Sequence, residues 1–260
     1  MINSIFSYAD LEYFLLIFVR VTSFIFIAPF YGMNNTPARI KVGLGIFVSF
    51  LVFSVVTPHE TVVYDSILGY AVVVTKEVLA GFIIGFGTNI CSSIISFAGH
   101  IIDMETGLSM VTLMDPNTQE ASSISGVFYQ YMIMLMLIVS GMYRYLLGAL
   151  VDTFTLIPVN GAVFNMDSLM SSMLTFMSDY IIIGFRICLP IFAAMIMLNA
   201  ILGILAKVSP QMNMFAVGIQ IKILTGLVVL FLTVGMLPGA SDFIFTQMKR
   251  MVVSFVEGMM

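Results

Sequence analysis

Charge is what this sequence has least of. Of its 260 residues only 9% are Asp, Glu, Lys or Arg, while 60% are hydrophobic. A soluble domain carries about 25% charged residues, and a soluble monomer of this composition has nowhere to hide its apolar surface. The chain therefore reads as a membrane protein or as a subunit of an apolar assembly. Net charge is −4, with no basic tail, so nucleic acid is not an expected partner. Cysteine is scarce too: Cys91 and Cys188 both lie in apolar runs and read as small core residues, not as a disulfide or metal pair. With two histidines, His59 and His100, no His-based triad can be assembled. His100, Asp103 and Glu105 stand at i, i+3 and i+5, which do not share one helical face well, and no second histidine supports a metal site there. There is no GxxxxGK[ST] and no nucleophile elbow, so neither ATP hydrolysis nor acyl transfer is expected. The sequence thus points away from an enzyme and implies no cofactor. No cleavable signal peptide is expected, because Asp10 and Glu12 rather than lysines precede the first apolar run, and no small-residue cleavage site follows it.

What is present is a series of long apolar runs. A bilayer crossing needs about 20 such residues. Residues 12–30 qualify, interrupted by Arg20 and broken by Pro29, Gly32 and Pro37. A second run covers 42–56. A third, 62–102, is far too long for one crossing at about 1.5 Å per residue. It carries Lys76, Glu77 and a GxxxG at Gly81 and Gly85, which permits close helix contact. After a polar interlude at 103–125 come runs at 126–150, 173–205 and 215–237, then an amphipathic tail with Lys249 and Arg250. Residues 158–172 read as a loop. The fold class is all-α, built of membrane-associated helical hairpins. The positive-inside rule gives a poor topology: an outside N-terminus puts Arg39, Lys41 and Lys207 inside but the tail with Lys249 and Arg250 outside. These helices are not all ordinary spans, or a crossing is miscounted.

The charges within apolar runs are Arg20, Lys76, Glu77, Arg144, Asp179, Arg186 and Lys222. Such residues are expensive in lipid and face a bundle, a cavity or a partner. Asp179 and Arg186 are seven apart and share a helix face. A proton or ion pathway is one reading; pairing between helices or subunits is the other, and the lack of a carboxylate cluster favours pairing. The interlude is unusual as well. Gly107 and Asp115-Pro116 oppose a continuous helix, and irregular backbone cannot face lipid. Yet Leu108, Met110, Val111, Leu113 and Met114 cluster there. Apolar side chains that exclude water, with flexible methionines that adapt to a wall, suit a segment obstructing a pore.

One stretch carries more information than the rest. In Lys207-Val-Ser-Pro210-Gln211-Met-Asn213-Met-Phe215, Pro210 ends one helix and Asn213 can cap the next, giving an αα-hairpin turn. Lys207 can snorkel to a surface, whereas Lys222 lies deeper and needs a partner or water. This stretch, with Gly218 and Lys222, resembles the PQxNxF…G…K signature of the FliR/SctT family of the type III secretion export apparatus. Where that family usually has a further proline, this chain has Gln220. Arg20, Pro29-Phe30, Pro37 and Lys41, then Glu77, Gly81 and Gly85, then Gly99, Asp103, Gly107 and Asp115-Pro116, then Pro158, follow the family's order over roughly residues 20–237.

The resemblance implies a non-enzymatic subunit of the flagellar type III protein export gate in the bacterial inner membrane, at the flagellar basal body. Its partners would be FliP and FliQ subunits in a hetero-oligomer, FlhB, membrane lipid, and the unfolded flagellar proteins that are exported. It implies a FliP-like helical region over residues 1–175, whose loop 103–125 helps plug the closed gate, and a FliQ-like hairpin with an amphipathic tail over residues 176–260. It also implies a gate lifted largely above the membrane plane, with helices packed on neighbouring subunits. The alternative is a self-contained proton- or ion-coupled transporter, for which an internal repeat and a midplane carboxylate site would be needed.

Overall fold

The apolar runs become helices, and the breaks between them fall where proline, glycine or a capping side chain intervenes. The computed structural model describes residues 8–33, 36–56, 64, 66–110, 113–114, 121–209, 211 and 214–260. Eight α-helices follow one another among these: α1 (Tyr8–Ile27), α2 (Ala38–Val55), α3 (Ile67–Thr106), α4 (Ile124–Val139), α5 (Met142–Leu156), α6 (Met166–Val208), α7 (Met214–Thr233) and α8 (Leu237–Glu257). Among the described residues the one pairing of strands is two residues long on each side, β1 (Leu113–Met114) with β2 (Ala121–Ser122). The chain is all-α, as its sequence implies. Among the described residues four segments are long and apolar enough to cross a membrane: Ala38–Val55, Ile67–Thr106, Met166–Val208 and Ala216–Glu257.

Three expectations about boundaries need correction. The run 126–150 is not one helix: α4 ends at Val139 and α5 begins at Met142. Gly141 sits there at φ +72, a left-handed conformation that stops the first helix and that glycine takes without penalty. Residues 158–172 are not all loop, because α6 starts at Met166. Asn165 accepts the Ser168 N–H at 3.1 Å through its side-chain oxygen, and Asp167 occupies the first turn, where the helix dipole favours a negative charge. The interlude also begins later than position 103. Helix α3 runs on to Thr106 and stops at Gly107, φ +84.

The helices distribute over two compact units. The first comprises Met1–Cys91, Gly141–Phe176 and Thr246–Met260. In α1 the buried residues are Tyr13, Leu16, Ile17, Arg20, Val21, Phe24 and Ile25, a stripe at the 3–4 residue spacing of one helix face. Helix α2 lies against α1 through Phe53, whose ring is 5.9 Å from that of Phe14. Helix α3 crosses α1 at two glycines. A Cβ on Gly81 would collide with the Arg20 carbonyl oxygen, and one on Gly85 would sit 3.1 Å from the Phe24 carbonyl oxygen. The end of α8 closes this unit: Phe255 packs on Gly87, and Val163 and Asn165 donate backbone hydrogen bonds to Met259 and Gly258 at 3.0 Å each.

The second unit comprises Ser92–Ser140 and Met177–Phe245. Its α3 segment and α4 form an antiparallel pair so close that a Cβ on Gly99 would overlap the Gly126 Cα. On α6, Gly184 receives the Phe97 ring; on α7, Gly226 receives the Thr106 methyl group. Gly218 of α7 faces Leu202 of α6, so α6 and α7 form the hairpin. Large apolar side chains remain exposed along that hairpin, among them Leu189, Met197, Ile204, Leu224 and Phe231.

These crossings set opposite outcomes for two Gly→Ala changes. Gly81→Ala forces α1 and α3 apart and is expected to cost about 1–3 kcal/mol. Gly148→Ala in α5, where a Cβ meets nothing within 4 Å, should leave stability unchanged or raise it by up to about 1 kcal/mol from helix propensity. Equilibrium unfolding of the full chain in mild detergent measures both. Equal effects at the two sites would contradict the crossing.

Candidate functional site

The most completely satisfied charge in the described structure is Arg20, which is fully buried together with Glu77. Its Nε donates to Glu77 Oε2 at 2.6 Å and its Nη2 to Oε1 at 3.1 Å, a forked pair. Nη1 donates to the carbonyls of Ile157 at 2.9 Å and Thr153 at 3.4 Å, and Nη2 also to that of Pro158 at 3.4 Å. Each of the five guanidinium N–H groups therefore has an acceptor. The Phe154 ring lies 4.4 Å from the guanidinium carbon. Carbonyls 153, 157 and 158 belong to the C-terminal end of α5, where unpaired carbonyls and the helix dipole favour a cation. Glu77 Oε1 accepts in addition the Asn160 N–H at 2.9 Å. Asn160 is left-handed at φ +66, which asparagine tolerates better than most residues. One ion pair thus fixes α1, α3 and the end of α5.

Other charges stand apart. Lys41 is buried and donates to the Gly32 carbonyl at 3.0 Å, with the Phe26 ring 5.6 Å away. Beside that turn the Tyr31 hydroxyl donates to the Tyr143 carbonyl at 2.9 Å. Burial, and then Tyr143, push the Tyr31 phenol up to about 12, so it stays a neutral donor at physiological pH. Arg144 is exposed, with Nε donating to the Tyr143 hydroxyl at 2.8 Å. Asp179 is half-buried and Arg186 exposed on α6. Two helical turns, about 10 Å, separate them, and the Arg186 guanidinium lies 6.0 Å from the Phe243 ring instead. Lys222 is half-buried on α7. At the hairpin turn Lys207 is exposed in the last turn of α6, where a cation complements the dipole, and Gln211 is exposed. Pro210 and Asn213 lie outside the described residues.

The central segment has a fixed stem. Asp103, 3% exposed, accepts the Ser125 N–H on both oxygens, at 3.2 and 3.3 Å. That N–H is one of the unpaired donors opening α4, and Ser123 caps the next by accepting the Gly126 N–H at 2.8 Å. Beyond the stem, Gly107 turns the chain, Leu108–Met110 form one 3-10 turn, and Leu113 and Met114 pair with Ser122 and Ala121. Val111, Asp115 and Pro116 lie outside the described residues. Sequence reasoning places Asp103 in a loop and names Lys41 for topology and family order but not as a buried charge. The signals are present nonetheless: Ser123 directly before an apolar run marks a helix start, and Asn160-Gly161 marks the turn that meets Glu77.

Breaking the Arg20–Glu77 pair from one side should cost about 3–5 kcal/mol, since a buried charge is left alone. Glu77→Leu and Arg20→Met are both expected to fall in that range. The double variant Arg20→Met/Glu77→Leu should recover a large part of the loss. Urea or thermal unfolding of the full chain in detergent measures the cycle, and additive losses in the double variant would contradict the pairing.

Residues 11–248 match the family model for bacterial export proteins, family 1. The flagellar biosynthetic protein FliR of Aquifex aeolicus (strain VF5) is 31% identical over 222 residues, covering 84% of this chain and 84% of that protein. The FliR of Bacillus subtilis (strain 168) is 28% identical over 219 residues, 84% of each chain. The FliR of Buchnera aphidicola subsp. Acyrthosiphon pisum (strain APS) is 28% identical over 221 residues, 85% of this chain and 84% of that protein. The match covers α2 to α7 whole and most of α1 and α8, so the helices that hold Arg20, Glu77 and Asp103 all lie within it, and the chain belongs to family 1 of the bacterial export proteins, the family of FliR.

Proposed function

We propose that this chain is a non-enzymatic subunit of the flagellar type III protein export gate and forms a section of its protein-conducting channel. The observation that carries the reading is the central segment. A stretch rich in Leu and Met, whose described residues form one 3-10 turn and a two-residue strand pair, leaves two apolar helices from a stem locked by Asp103 and by the Gly99–Gly126 contact. Backbone of that kind is tolerated at membrane depth only inside protein or along a water-filled path. Residues 107–114 obstruct the channel until an exported chain displaces them, and the rigid stem returns them afterwards.

FliP and FliQ subunits are the partners, with FlhB beside them, in the inner membrane at the flagellar basal body. Residues 1–175 take the FliP-like role and residues 176–260 that of the FliQ-like hairpin. The exposed apolar rows of α6 and α7 support such an assembly, because a lone soluble chain does not keep them in contact with water. Helix length supports it too. The 40 residues of α3 and the 43 of α6 span about 60 and 64 Å, twice the ~30 Å hydrocarbon core, so much of each runs outside the bilayer and packs on neighbours. The transporter reading gains nothing from the geometry: Glu77 is taken up by Arg20, and Asp103 by a helix N-terminus.

The test is a deletion of residues 107–114 in a host expressing the FliP and FliQ proteins. The full chain should co-purify with both, with or without the deletion, while the deletion raises ion leak across the membrane, read as single-channel conductance of the intact complex. A tight membrane with the deleted complex in place would refute the plug. A stable single-chain particle with transport activity of its own would refute the gate.

A further inference from the structure

The second compact unit holds a cavity of about 460 Å³. Its walls come from α4 (Tyr129), from α6 (Ile183 to Pro190), from the last residue of α7 (Thr233), from a 3-10 turn at Val234–Met236 and from the first turns of α8 (Leu237 to Phe243). Ligand pockets have volumes of ~300–1,000 Å³, mostly apolar with a few placed polar groups, and this one fits. Ile187, Leu237, Ala240 and Phe243 are among the apolar walls, and Arg186 is the charged residue lining it. Gly235 and Gly239 also line it, and a Cβ on either would meet open space.

Arg186 has no ion pair among the described residues; its guanidinium contacts the Phe243 ring. An arginine on an apolar helix needs an anion or water. Its depth tells which anion is on offer. From 187 to 206 helix α6 carries no charge, and Arg186 and Lys207 bracket that stretch. Twenty residues at 1.5 Å make about 30 Å, the thickness of the hydrocarbon core. A bilayer seated on this stretch would have Lys207 at one surface and Arg186 at the other, at the level of lipid phosphates. Pro190 adds a second polar feature: it has no N–H to give the Arg186 carbonyl, so that carbonyl is left as a spare acceptor for a headgroup hydroxyl.

We propose that this cavity is a binding site for one anionic glycerophospholipid, with its phosphate on the Arg186 guanidinium and one acyl chain between α4, α6 and the start of α8. Volume argues against a partner helix as the occupant. One 5.4 Å turn of a helix about 10 Å wide fills roughly 420 Å³, so the cavity holds a single turn and no membrane-crossing segment. Basic pockets between membrane helices are recognised sites for anionic headgroups. The inference rests on the chain lying in a membrane and is independent of the gate reading.

The chain contains no tryptophan, so Phe243→Trp installs a single fluorescent reporter on the cavity wall. The full chain with this change is placed in phosphatidylcholine nanodiscs, and either dibrominated phosphatidylglycerol or dibrominated phosphatidylcholine is titrated in as quencher. Half-maximal quenching is expected at about fivefold lower mole fraction for phosphatidylglycerol. Adding Arg186→Gln should make the two curves coincide, Asp242→Asn should leave the preference intact, and Gly239→Leu should fill the cavity and lower quenching by both lipids. Inorganic phosphate should not displace the phosphatidylglycerol effect. Variants are compared only where helix content and elution volume match the parent. Coincident curves in the Phe243→Trp parent, which would leave the cavity to a partner's side chain, overturn the proposal. So does a preference that survives Arg186→Gln, or displacement by inorganic phosphate.

Discussion

The first compact unit depends on taking two charges out of water at once. Effective desolvation costs several kcal/mol for each ion, and mutual attraction offsets that only when every remaining donor and lone pair is used. Arg20 meets this demand with five acceptors, two of them on Glu77 and three at the end of α5. The geometry that results is narrow. Glu77 must lie opposite Arg20 on α3, and a forked contact with the carboxylate at 2.6 Å needs the two helix axes close together. Gly81, one turn further on, meets the Arg20 backbone, and Gly85, another turn on, meets that of Phe24. The pair and the glycines are one device: the charges set which faces meet, and the missing side chains set how near they come.

A second constraint acts at every break in an apolar helix, where N–H and C=O groups lose their helical partners and have no water to turn to. The structure answers these breaks with a nearby side chain or a backbone turn. Asp103 and Ser123 serve the start of α4, Asn165 serves α6, and Arg20 serves the end of α5. Lys41 serves the turn after α1 in the same way, through the Gly32 carbonyl. Several of the chain's few buried polar side chains are thus taken up at helix ends and turns.

Much of this is legible in the sequence. Run lengths give the helical class, and the Ser209-Pro210 break places the end of α6 within two residues, at Val208. GxxxG marks a close crossing, though not its partner: nothing local says that Gly81 faces Arg20, which lies 61 positions earlier in the chain. The errors have a common cause. Hydropathy does not register a single glycine in a left-handed conformation, so the break between α4 and α5 at Gly141 reads as continuous helix. Nor does it register a capping asparagine, so the polar first turns of α6 read as loop. Glu77 reads in sequence as a charge within an apolar run, and Asp103 as the first residue of a polar interlude. Their different duties, one on a helix N-terminus and one on a guanidinium, are set by residues 22 and 57 positions away.

The same sparing use of charge bears on how such a chain can sit in a bilayer. Buried pairs such as Arg20–Glu77 cost nothing further when a helix moves from lipid to protein surroundings, because the charges never see the change. Exposed cations are different, since each is tolerated only near a headgroup, water or a partner. Arg186 and Lys207 stand one hydrocarbon thickness apart on a helix of 43 residues, so the bilayer has one favourable position along α6, and the other half of that helix must find neighbours elsewhere. The central segment hangs from a stem of buried contacts, not from exposed charges. The interactions that hold the stem do not depend on what surrounds the chain beyond Gly107.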